Sequence, residues 1–140
     1  MKFCRITLAL IYFTISLVMA FAATNNGYAE GVNLSPRYSY IASIRADLTI
    51  DSSGNAKCKG VVETYSSKSI VMTVTLMVKN DGSWKTVKVW TNSVGNSDYM
   101  KSTYNYNVQP GIYKITIRCV VTNTDGRVET GYAVSKEIGY

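Results

Sequence analysis

An all-β fold, an antiparallel β-sandwich of about seven strands, is what this 140-residue sequence predicts. Three observations carry it. Apolar residues recur at every second position through most of residues 44–138, the period of a half-buried strand. Turn-forming clusters of Gly, Asn, Asp and Pro stand between those runs. No segment carries a helical apolar stripe. The length suits one domain, and 46% hydrophobic residues with a formal net charge of +6 argue against disorder.

The N-terminal element is not part of that pattern. Residues 1–23 begin with Met1, Lys2 and Arg5, then run from Ile6 to Ala23 without a charge. A basic start, an apolar stretch and small residues at its end predict a secretory signal peptide. Ala20-Phe21-Ala22 fits the cleavage pattern, with Val18-Met19-Ala20 and Gly27-Tyr28-Ala29 as nearby alternatives. The rival is an uncleaved anchor, since the run approaches the ~20 residues that span a bilayer. The polar stretch directly after it favours cleavage. The expected product is secreted and extracellular, with no stable membrane span after cleavage. Residues 24–37 (TNNGYAEGVNLSPR) are polar and hold two glycines and Pro36, a flexible lead-in to a domain over 38–140.

In the first strand Ile44, Ala46, Leu48 and Ile50 share one face, with Arg45, Asp47, Thr49 and Asp51 on the other. Ser52-Ser53-Gly54-Asn55 turns the chain into a second strand with Ala56, Cys58, Gly60 and Val62 inward and Lys57, Lys59 and Glu63 outward. Ile70, Met72, Val74, Leu76 and Val78 form the longest apolar series. Asn80-Asp81-Gly82 is a hairpin signal leading into a fourth strand over 84–91. There Trp84, Lys88 and Trp90 oppose Val87 and Val89, which leaves the buried face ambiguous. Residues 97–108, rich in Tyr and Asn, read as a weaker fifth strand. Pro110-Gly111 precedes the sixth, with Tyr113, Ile115, Ile117, Cys119 and Val121 inward, and Asp125-Gly126 turns into a last strand over 128–138.

Without residues 1–23 the chain keeps 117 residues, 13 basic against 9 acidic, ten tyrosines, two tryptophans and no phenylalanine. Cys4 leaves with the leader, so Cys58 and Cys119 remain. Export and an even count predict one disulfide between them. It would close a loop of about 62 residues, worth roughly 4 kcal/mol in the chain-entropy model. Both cysteines lie on the apolar faces of the second and sixth strands, as an inter-sheet bridge needs. These positions resemble the immunoglobulin fold. Two hallmarks depart from it: no tyrosine stands two residues before Cys119, Tyr113 being six before, and no tryptophan falls on the third strand. Over about residues 34–138, LSPRYSYIASI, the lone-cysteine strand, GSWKTVKVW and PGIYKITIRC resemble a family of small secreted proteins of Gram-positive bacteria. That resemblance implies an immunoglobulin-like sandwich and no assigned activity, so it transfers no functional residue.

The absence of histidine removes Ser-His-Asp, Cys-His and histidine-metal chemistry at once. Asp47 and Asp51, four residues apart on one strand face, stand roughly 13 Å apart, beyond glycosidase spacing. Asp81 and Asp125 are turn residues; Asp98 and Glu129 show no partner. No calcium-loop or zinc spacing is present, so neither metal nor cofactor is expected, and the enzyme reading ranks last. The basic residues are dispersed, which argues against nucleic acid. The remaining lead is aromatic. Trp84, Trp90, Tyr99, Tyr104 and Tyr106 with Lys88 make a candidate binding face, against the alternative that these rings fill a core short of phenylalanine. The reading is a non-catalytic extracellular or cell-wall-associated binding module, whose partner is a cell-wall polymer, a glycan or a protein. A secreted membrane-active or antimicrobial effector is the alternative, weakened by the lack of a basic amphipathic helix.

Overall fold

A computed structural model of the protein describes residues 38–140; the expected leader and lead-in lie outside the described residues. Its elements are all strands: β1 (Ile41–Ile50), β2 (Asn55–Asn80), β3 (Ser83–Asn107), β4 (Ile112–Thr122), β5 (Val128–Val134) and β6 (Ile138–Gly139). All their pairings are antiparallel. The order is β1-β2-β4-β5, with β3 also on β2 and β6 on β4. The fold is therefore all-β and antiparallel.

The seven expected strands appear as six: β2 and β3 each absorb two of them, and the last divides into β5 and β6. Residues 55–63 of β2 pair with β1 on one side and with residues 99–107 of β3 on the other. Residues 69–80 pair with the first arm of β3 and with β4. Between these halves the register breaks at Glu63, Lys68 and Ile70, and the alternation lapses at Thr64-Tyr65-Ser66. The loss of alternation predicted two strands; the backbone instead continues through a bend. At the other end of the long hairpin Asp81 and Gly82 take φ of 49° and 79°, the left-handed pair that a tight Asn-Asp-Gly turn requires. The last expected strand stops at Val134, and the chain returns at Ile138 to pair with the start of β4.

Alternation identified the core correctly. Leu48, Ala56, Cys58, Val62, Ile70, Met72, Val74, Leu76, Tyr113, Ile115, Ile117, Cys119 and Val121 form one buried cluster. Each fully buried aliphatic side chain contributes about 1.5–3 kcal/mol of transfer free energy. Two glycines fix how the halves meet. A Cβ on Gly60 would stand 2.5 Å from Met72 Sδ and 2.9 Å from Ile117 Cδ1. A Cβ on Gly131 would run into Ile44 and stand 2.9 Å from Ile41 Cδ1. At both places backbone lies directly against side chains of another part of the sheet.

The expected Cys58–Cys119 disulfide is not formed; both are buried free thiols. The same glycines supply the reason. Gly60 faces Ile117, while Gly131, the cross-strand partner of Cys119, faces Ile44, the partner of Val62. Cys119 therefore lies level with Val62, and Cys58 level with Ile115. The two are four residues out of step, roughly 13 Å along the strands, where a disulfide tolerates a Cα separation of only about 4.4–6.8 Å. The strands and faces suit a bridge, but the level does not. Burial raises both thiols, Cys58 to about 11.

One hydrogen bond adds to the sequence reading and one expectation changes. Tyr113 Oη donates to the carbonyl of Gln109 at 2.7 Å, so the tyrosine near the start of β4 reaches back four residues although it is six from Cys119. Burial also raises Tyr113. Glu129, which showed no partner in sequence, accepts the amides of Ser39, Tyr40 and Ile41 at 2.6, 2.8 and 2.9 Å. Its partial desolvation acts upward, but the three amide donors outweigh it and hold the carboxyl below its ordinary value. This carboxylate ties the entrance of β1 to β5.

A candidate binding seam along β3

β3 turns back on itself. Its first arm pairs with residues 69–80, its second with residues 55–63, and the turn between them carries Gly95 and Asn96, the latter at φ 48°. Across the space between the arms, Trp90 stacks on Tyr104 with ring centroids 4.9 Å apart and planes within 4°. Trp90 also meets Tyr106 edge-on at 6.2 Å. One step nearer the turn, Asn92 Nδ2 donates to Ser102 Oγ at 3.4 Å. The contacts advance by two residues on each arm, so the arms face each other rung by rung. That spacing sets Lys88 at the level of Tyr106 and Val94 at the level of Met100.

The rings do two things at once. Trp90, Tyr104 and Tyr106 pack against the core cluster yet stay partly exposed. Lys88 is exposed at one end of the seam, and Tyr99, 46% exposed, stands by the turn at the other. Lys88 pairs with the core residue Leu76, so it points inward from an edge strand, a placement that discourages edge-to-edge pairing.

Four of the six candidate residues, Lys88, Trp90, Tyr104 and Tyr106, thus share the inward face of the seam; Tyr99, paired with outward Glu63, stands at its rim, and Trp84 lies off it. The register shifts between Leu76 and Met77, leaving Val87 as an extra residue on β3. Trp90 consequently pairs with inward Val74 but Trp84 with outward Lys79. The expectation that Trp84, Lys88 and Trp90 share one face fails for Trp84, because one bulged residue moves everything beyond it to the other side. Trp84 sits beneath the Lys114 ammonium, 4.0 Å from its ring centroid, with Lys79 at 5.7 Å.

Asp47, Asp51 and Asp125 are accounted for locally. Asp47 pairs with Lys59 at 3.4 Å. Asp51 accepts from the Ser53 hydroxyl and from the amides of Asn55 and Ser53, which lowers it. Asp125 accepts the Arg127 amide and the Asn123 amide nitrogen and is lowered too. Among the described residues no three Cys, Asp or Glu side chains converge on a possible metal position.

Sequence reasoning missed Asn92, Ser93 and Ser102. The signal was present: Asn92 and Ser102 occupy alternate positions that continue the inward series of Trp90 and Tyr104, and polar residues there mark an interior that is not closed.

No family model matches the sequence, and no curated protein matches it. A solved structure described as a crystal structure of a protein from Archaeoglobus fulgidus is similar at a TM-score of 0.33 and 7% identity, covering 71% of this chain and 97% of that one. A likeness at that level carries no functional argument.

Proposed function

We propose that the protein is a secreted, non-catalytic binding module that acts outside the cell or on its wall, with the β3 seam as its contact surface. One observation carries this reading: Trp90, Tyr104 and Tyr106 are held rigidly by stacking while keeping surface in solvent. Rigid, half-exposed aromatic rings lose little entropy on binding and are favoured anchors. Export rests on the basic and apolar leader of residues 1–23.

The architecture we infer is an immunoglobulin-like sandwich, the fold of the small secreted Gram-positive family that the sequence resembles. The close approach at Gly60 and Gly131, the Trp90–Tyr104 stack between the arms of β3, and the Tyr113 hydroxyl returning to Gln109 support it. Fold alone does not select a partner.

The test is a binding screen against purified cell walls, wall polymers, glycans and candidate extracellular proteins, with Trp90→Leu and Lys88→Glu beside the wild type. Binding that falls about tenfold in Trp90→Leu, while circular dichroism is unchanged, supports the seam. Undiminished binding in both variants refutes it, and no binding to any class refutes the module.

A further inference from the structure

At the turn of β3 the seam widens into a concavity of about 370 Å³ lined by Asn92, Ser93, Val94, Tyr99, Met100 and Lys101. We propose that this concavity is a carbohydrate site that takes one pyranose unit carrying an anionic substituent, a carboxylate or a phosphate. The proposal rests on the seam being the contact surface, and it adds the ligand class and the residues.

The lining has the parts such a ligand needs. Tyr99 is an exposed ring on the wall, able to stack on the apolar face of a sugar. Buried Met100 and half-buried Val94 supply an apolar floor. Asn92 and Ser93 are exposed and bring an amide and a hydroxyl, groups that both donate and accept. Asn92 is already oriented, since its Oδ1 accepts the Ser93 amide at 2.9 Å while its Nδ2 reaches Ser102. The volume lies at the small end of ligand sites, which suits a single ring.

The charge preference comes from Lys101. Among the described residues it makes no ion pair, while the neighbouring carboxylate of Glu63 is engaged by Arg45 at 2.9 Å and by the Ser43 hydroxyl at 2.8 Å. The concavity itself contains no carboxylate. A lysine without an ion pair, on a lining that holds no carboxylate, favours an anion there.

The experiment is a backbone amide chemical-shift titration of the full chain with three probes: tetragalacturonate, glucose 6-phosphate and maltotetraose. The expected result is shifts at Asn92, Ser93, Tyr99 and Lys101 with one or both anionic probes, and weaker ones with neutral maltotetraose. Tyr99→Ala should weaken the binding about tenfold, and Lys101→Gln should erase the preference for charge. Equal response to maltotetraose overturns the anionic preference. Shifts confined to Lys88, Trp90 and Tyr104 overturn the site but leave the seam reading in place. No response to any probe overturns the carbohydrate proposal, and the seam reading then stands or falls on its own screen.

Discussion

The two open sides of this molecule are finished in different ways. At the β1–β5 side, closure is by one carboxylate on main-chain amides and by a bare glycine. Glu129 collects three consecutive amides at the entrance of β1, and Gly131 lets β5 lie against Ile41 and Ile44 with no side chain between. At the β3 side, closure is by side chains that stack across a gap, and an Asn–Ser contact followed by a concavity continues the line. On the first side the sealing contacts are turned inward, although β5 keeps Val128, Tyr132 and Val134 exposed. A side sealed by partly exposed rings keeps chemistry at the surface while still supporting the core. We read the first side as serving stability and propose the second for recognition.

The largest expected effect comes from filling the glycine contact. Gly131→Val would drive two methyl groups into Ile41, Ile44 and Cys119, and should cost about 3 kcal/mol by overpacking, read as a shift in the urea midpoint. Glu129→Gln comes next, at about 1.5 kcal/mol once the solvent at this edge is allowed for. Its pH dependence sharpens the point. The carboxyl is held low in the folded chain, so its contribution is present above the ordinary value of 4.5 and is lost as pH falls through the folded one. The stability gap between wild type and Glu129→Gln should therefore close as pH falls below the ordinary value of 4.5 and through the lowered folded one.

The thiols come third. Cys58 and Cys119 should resist an alkylating reagent at about pH 8 in the folded protein, and both should be labelled after unfolding. A mass spectrum with the two linked would overturn the four-residue offset between them. The smallest effects belong to the seam: Lys88→Glu and Tyr99→Ala should each stay within about 0.5 kcal/mol of wild type in stability.

Alternation read directly from the sequence reveals which face of a strand is buried, and it did so for Leu48, Cys58, Met72, Ile117 and Cys119. It carries no information about level across the interior. That is why two cysteines on suitable strands and suitable faces still failed to meet. It also assumes an unbroken period of two. A single bulged residue, Val87, was enough to separate Trp84 from Trp90, and a bend through 64–69 was enough to make two expected strands one. Glu129 was illegible for another reason. Its partners are main-chain amides some ninety residues away, and an amide has no signature in a sequence. The seam was legible as a set of aromatic residues but not as a surface, because the turn that brings Trp90 onto Tyr104 is a property of the fold.

The most direct test of the division between the two sides is to measure binding and melting together for one variant from each, Glu129→Gln and the Lys88→Glu, Tyr99→Ala double variant, against whichever wall polymer or glycan the wild type retains. The division predicts that Glu129→Gln melts earlier yet binds as wild type does below its transition, while the double variant melts with the wild type and loses its binding. Loss of binding in Glu129→Gln with full binding in the double variant would contradict it.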